Sequence, residues 1–160
     1  MRMDDGDDEV WAQLYPSLRR FAAVVGDWGL EPDDLVQEAL AQTLRRHTLG
    51  DLDDPGAYLR TAIANIARSG RRRRKAGLAA VTRLARAEPH QDQMPSELTD
   101  LERLSPIDRA VVYLVHVEGR AHLDAARILG ITEQASRSRA SRATGQLRTA
   151  VNEEMNHGPR

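Results

Sequence analysis

Residues 106–148 read PIDRAVVYLVHVEGRAHLDAARILGITEQASRSRASRATGQLR, and this stretch decides the fold. Ser105, Pro106 and Asp108 make a helix start close to a capping box, with Asp in place of the usual Glu. Ile107, Ala110, Val111, Leu114 and Val115 follow at helical spacing, and Gly119 can end that helix. A short helix over 121–129 turns Leu123, Ala126 and Leu129 inward. Gly130, Ile131 and Thr132 form a turn, and Thr132 caps a last helix that runs to about Asn152. The pattern is a helix-turn-helix. Its last helix carries Arg137, Arg139, Arg142 and Arg148, with no acidic residue between Glu133 and Arg148. Cationic and short polar side chains on one helical face suit a DNA major groove.

The last helix divides into two sides. Ser136, Ala140, Ala143 and Leu147 recur at spacings of four, three and four, and form the packing face. The other side presents Gln134, Arg137, Ser138, Ser141 and Arg142. Gln134 matches an adenine edge and Arg137 a guanine edge, whereas Arg142 and Arg148 suit phosphates. A solvated basic face on a helical bundle is the competing reading.

Upstream of this stretch the chain is also helical. Val10, Trp11, Leu14, Leu18, Phe21, Ala22 and Val25 predict a first helix over about 8–25, with Pro16 as a kink or break. A second starts near Pro32, with Asp33 and Asp34 at its positive end and Arg45, Arg46 and His47 in its last turn. The segment 48–54 reads as a loop. A third helix opens at Asp54 and Pro55, buries Tyr58, Leu59, Ala62, Ile63 and Ile66, and runs into an arginine block. That block, Arg71, Arg72, Arg73, Arg74 and Lys75, follows Asn65 and Arg68 on the same helix and predicts a phosphate-tracking surface. Continuation to about Ala87 is weakly signalled. Glu88–Pro95 is polar, holds two prolines and reads as a linker. Ser96 caps a short helix with Leu98, Leu101 and Leu104. The expected organisation is all-α, with two small helical domains, 8–87 and 96–152, joined by a flexible linker at 88–95.

Composition narrows the function. Hydrophobic residues make up 41% of the chain and aromatics 4%, which favours helices. Net charge is −1, yet the stretch from Arg60 to Lys75 carries only positive charges and the first ten residues are acidic. Such segregation points to a nucleic-acid partner more than net charge does. The acidic start itself reads as a disordered, solubilising tail. No cysteine is present, which removes thiol chemistry and cysteine-ligated zinc. The five histidines are scattered and make no metal motif, and no glycine-rich phosphate loop occurs, so neither a metal nor a cofactor is expected. Acidic pairs such as Asp33–Asp34 and Asp53–Asp54 sit at helix starts, where capping explains them better than acid–base catalysis. No apolar run approaches a membrane span, and no secretory signal is seen, so the expected location is the cytoplasm.

Two segments carry a family likeness. The first is Asp34-Leu-Val-Gln-Glu-Ala-Leu40, then Pro55-Gly-Ala-Tyr-Leu-Arg-Thr-Ala-Ile-Ala-Asn65 and the arginine block. The second is Leu104-Ser-Pro-Ile-Asp-Arg-Ala-Val-Val, then Val117-Glu-Gly, Ala125-Ala-Arg-Ile-Leu-Gly-Ile131 and Arg137-Ser-Arg-Ala-Ser-Arg-Ala143. In this order and separation the chain resembles bacterial RNA polymerase sigma factors of the extracytoplasmic-function group, across roughly residues 10–150. The segments resemble that family's second and fourth conserved regions. The resemblance implies a factor that binds core RNA polymerase and directs it to promoters. Asp34, Gln37 and Glu38, which periodicity alone reads as ordinary solvent exposure, would then dock on the polymerase clamp helices. The loop at 48–54, with Asn65 and Arg68, would engage the minus-ten element. The last helix would read the minus-thirty-five element, and an anti-sigma protein becomes a possible partner. Ser136 and Ala140 stand where the family places larger apolar residues, which predicts a loosely packed or shifted helix. Thr61, Tyr58 and His122 also replace a basic residue, a tryptophan and a tyrosine. Two rival functions are a stand-alone helix-turn-helix regulator, and a sigma-like protein that occupies polymerase or an inhibitor without initiating.

Overall fold

The structure, a computed structural model, describes residues 5–26, 31–82 and 104–156. The expected linker at 88–95, the short helix at 96–103 and any continuation of the third helix to Ala87 lie outside the described residues. Among the described residues the chain is helical throughout, with no strand. In chain order come α1 (Asp5–Val25), α2 (Pro32–Leu44), α3 (Pro55–Thr82), α4 (Pro106–Val112), α5 (His122–Leu129) and α6 (Glu133–Asn156). A π-helical turn, Tyr113–Val117, extends α4 and brings the chain to Glu118.

The starts follow from local chemistry. Pro32 and Pro106 occupy first-turn positions, where a missing N–H costs nothing. Asp54 accepts from the Ala57 N–H at 2.8 Å, Ser105 from Asp108 at 3.2 Å, and Thr132 from Ala135 at 3.1 Å. Gly130 adopts φ 64° at the end of α5, a left-handed conformation that glycine takes without a Cβ penalty. The second helix stops at Leu44, so Arg45 is its cap and Arg46 and His47 lie beyond it rather than in its last turn. Pro16 does not end α1, which runs on through it to Val25, although it removes one backbone bond. It lies on the exposed side, where water serves the carbonyl left without a donor.

The acidic start corrects the sequence reading. From Asp5 onward it is the first turn of α1 rather than a disordered tail. Asp7 is 5% exposed, and its carboxylate accepts from the Gly50 N–H at 3.1 Å, which pins the loop between α2 and α3. Leu49, 1% exposed, anchors the same loop into the core. Asp7→Ala removes this bond at a cost of about 0.5–1.5 kcal/mol, because Gly50 is exposed and its N–H can turn to water. Amide exchange at Gly50 is then expected to accelerate; unchanged protection would rule out the tether.

Helices α1–α3 pack on one another, as do α4–α6, and the two units also pack together. Helix α1 meets α4, and α3 meets both α4 and α5. A single apolar cluster runs from Leu18, Phe21 and Ile63 in the first unit to Val111, Leu114 and Leu129 in the second. Phe21 and Tyr113 stand 5.9 Å apart with rings tilted by 51°. An ion pair crosses beside them. The Arg60 Nη2 lies 2.7 Å and its Nε 3.1 Å from Glu118 Oε1. Nη1 donates to the Gly56 carbonyl at 3.0 Å and Nη2 also to Ser17 Oγ at 3.1 Å. Arg120 serves the second Glu118 oxygen at 2.9 Å. The two partners' side chains are 5% and 14% exposed, so the pair is both buried and hydrogen-bonded.

Candidate nucleic-acid interface

Helices α5 and α6 form the helix-turn-helix, and α6 shows the two-sided distribution its sequence predicts. Ser136, Ala140, Ala143 and Ala150 are buried, and Leu147 is half-buried. Gln134, Arg137, Ser138, Ser141 and Arg142 are all exposed on the other side. Arg137 is paired with Glu133 one turn earlier, an exposed contact of little energetic weight that a DNA base or phosphate can displace. The four arginines of this helix do not act alike. Arg139 reaches back to Asp108 at 2.8 Å and ties α6 to the start of α4. It is part of the scaffold, whereas Arg148 is exposed.

The small residue at Ser136 does not loosen the helix. Ser136 is fully buried, and its Oγ lies 3.0 Å from His122 Nδ1 at the start of α5. A buried hydroxyl without a partner costs about 1–3 kcal/mol, so the imidazole is what makes serine tolerable here. The two departures from the family pattern form one coupled pair, fourteen residues apart in sequence, and hold the two helices in register.

In the first unit, Asp34, Gln37 and Glu38 are exposed on α2, opposite buried Leu35, Val36, Ala39 and Leu40. Gln42 Nε2 donates to Glu38 Oε1 at 3.0 Å. Neighbouring Asp33 turns the other way. The Tyr15 hydroxyl and then Arg19 hold its carboxyl below the ordinary range. Asn65 is exposed on α3 and lines a cavity of 410 Å3 with Gln42, Arg45, Arg46, Tyr58 and Thr61. Tyr58 meets His47 edge-on, with centroids 5.5 Å apart. Arg72 and Arg73 are exposed, while the side chains of Arg71 and Arg74 fall outside the description. Arg68 is engaged elsewhere: its Nη2 donates to the Leu129 carbonyl at 3.3 Å, at the negative end of α5. The structure therefore brings Asn65 and Arg73 to one surface and draws Arg68 toward the other unit. Sequence reasoning did not single out Arg60 and Glu118. The signal available was one arginine at a helical position otherwise given to the apolar face.

Comparison with known proteins fits this geometry. Residues 101–147 match the family described as Sigma-70, region 4. The chain superposes on the sigma factor RpoE from Bartonella quintana, solved in complex with the anti-sigma factor NepR. The TM-score is 0.73 at 24% identity, over 91% of this chain and 96% of that one. It also superposes on the PhyRSL–NepR complex from Sphingomonas sp. Fr1, with a TM-score of 0.59 at 18% identity over 87% and 85%. No curated protein matches the chain in sequence. The similarity to sigma-70 region 4 spans the segment that holds α4, α5 and the larger part of α6. At these identities the likeness to the two solved structures is one of helical fold. No helix among the described residues is long and apolar enough to cross a membrane.

Proposed function

We propose that the protein binds core RNA polymerase and directs it to a class of promoters. The observation that carries this reading is the exposed row on α6, Gln134, Arg137, Ser138, Ser141 and Arg142, set on a locked helix-turn-helix inside the segment that matches sigma-70 region 4. In this reading α6 enters the major groove of the minus-thirty-five element. The α3 surface with Asn65, Arg68 and the arginine block takes the minus-ten element. Asp34, Gln37 and Glu38 dock on the polymerase. Binding energy does all of it: phosphate contacts supply salt-sensitive affinity and a few side chains select sequence. The working location is the cytoplasm, at the nucleoid. The functional units are the ones the sequence suggests, 8–87 and 96–152 around a linker at 88–95. An anti-sigma protein is a further partner, supported by both similar structures being complexes with NepR.

The reading has a geometric consequence. Elements centred ten and thirty-five base pairs upstream are about 25 steps, or roughly 85 Å, apart. A packed chain of this length has a radius of gyration of about 15 Å and is about 40 Å across. The packed units cannot reach both elements, so engaging a promoter parts α1 and α3 from α4 and α5.

Two variants test the assignment. Arg137→Ala is expected to weaken binding to the cognate minus-thirty-five sequence by about 1–3 kcal/mol, in the range of five- to 150-fold. An equal loss on random duplex would contradict base reading. Glu38→Lys is expected to reduce capture of core polymerase, and undiminished capture would remove that face from the docking surface.

A further inference from the structure

The contact between the two units is not filled throughout. A cavity of 390 Å3 lies at the seam, walled by Val25, Ala64 and Arg68 from the first unit and by Ile107, Ala110 and Leu129 from the second. Apart from Arg68 these residues are apolar, and no carboxylate lines the space. Ser105 also reaches the wall, but its hydroxyl already serves Asp108. An apolar cavity of this size with one polar group to orient a ligand has the character of a small-molecule site. That polar group is Arg68. Arg60, Arg120 and Arg139, also drawn in between elements, each hold a carboxylate. Arg68 holds only the Leu129 carbonyl, at 3.3 Å, and pairs with no acidic side chain among the described residues. A guanidinium has five N–H donors, so most of this one's remain for a ligand. Its unpaired nitrogens are not sealed in protein.

We propose that this cavity binds a small monocarboxylate with an apolar tail, its head on Arg68 and its tail against Ala64, Ile107 and Ala110, and that the ligand holds the two units together. Charge selects the head, because a planar guanidinium pairs a carboxylate in two parallel hydrogen bonds. The tail takes apolar wall out of water. Because the walls come from both units, the site exists only while they are packed. A ligand that binds one of two states shifts the balance toward it by a factor of one plus the ratio of free ligand to Kd. This second half rests on the proposed function, in which engaging a promoter parts the units. The ligand is therefore an inhibitor of initiation.

The test titrates the full chain with decanoate, decanol and acetate in a calorimeter. Decanoate is expected to bind at least roughly tenfold more tightly than decanol, the worth of a charge-assisted hydrogen bond, and acetate not measurably. Arg68→Met keeps the side chain's reach but not its charge, and is expected to bind decanoate and decanol alike. Arg20→Gln removes an exposed charge outside the cavity and is expected to keep the preference. Ala64→Leu puts a larger side chain into the cavity and is expected to lose both ligands, with its melting curve showing that it folds. In run-off transcription at limiting core polymerase, decanoate at about ten times Kd is expected to lower wild-type output roughly tenfold. Output from Ala64→Leu is expected not to respond to decanoate. Equal affinity of the wild type for decanoate and decanol, or a preference that survives Arg68→Met, would overturn the site. So would undiminished binding by Ala64→Leu, or loss of the preference in Arg20→Gln. A wild type that binds no decanoate, while a Leu98→Ser, Leu101→Ser double variant does, would give the cavity to the chain's own leucines and overturn it too. Binding with the expected preference but undiminished initiation would overturn the hold on the units. A holoenzyme that yields no transcript even without decanoate would overturn the proposed function and the inhibition with it, while the binding preference would still establish the site.

Discussion

Glu118→Ala is expected to open the molecule rather than merely loosen it. The substitution strands the Arg60 guanidinium, whose side chain is 5% exposed and whose carboxylate partner lies on the other unit. Removing one member of a buried pair costs about 3–5 kcal/mol when the remaining charge stays buried. Here the chain has a way out. Parting α3 from α4 and α5 returns Arg60 to water and caps the cost at the strength of the contact between units. Scattering is therefore expected to show a radius of gyration above the roughly 15 Å of a packed chain, with both units still helical. Replacing both residues with methionine is expected to restore packing, because apolar groups of similar volume substitute well for a buried pair. Transcription with core polymerase is expected to survive Glu118→Ala, since the parted form is the one that engages promoters in the proposed function. An unchanged scattering profile and melting temperature would show that the pair does not hold the units together.

Phe21→Ala is expected to be equally costly by a different route. Phe21 is the chain's single phenylalanine, is fully buried, and packs within the apolar cluster that both units share. Its ring faces Tyr113 across the contact. Truncation removes the transfer free energy of the ring and leaves a cavity, together about 3–5 kcal/mol. At 2–4 °C per kcal/mol for a chain of this size, melting is expected to fall by roughly 10 °C. Unlike Glu118→Ala, this variant cannot recover by parting the units, because Phe21 also belongs to the core beside Leu18 and Ala22 of its own helix. Denaturant unfolding checks the distinction: a loss below about 1 kcal/mol would mean that the ring is not an anchor.

Much of this was legible in the sequence, and the reason is locality. Helix starts at Pro32, Pro55 and Pro106, and caps at Asp54, Ser105 and Thr132, depend on residues within one turn of each other. The exposed row of α6 follows from period alone. What was not legible depends on distance in sequence. Arg60 and Glu118 are 58 residues apart, so neither reads as half of a pair. Asp7 reads as one more acid in a charged start, and only the fold brings it to Gly50. Ser136 reads as a packing defect until His122 arrives from the start of the neighbouring helix. Arg139 looked like its neighbours because charge alone does not tell a scaffold arginine, paired with Asp108, from one left exposed.

The central claim is that this helical pair turns polymerase toward particular promoters. Run-off transcription with purified core polymerase and a pool of genomic duplexes tests it most directly. The account predicts transcripts from a subset of templates sharing two elements about 25 base pairs apart, and none without the protein. Capture of core polymerase with no transcript from any template, or tight duplex binding by the free chain with no effect on polymerase, would contradict it.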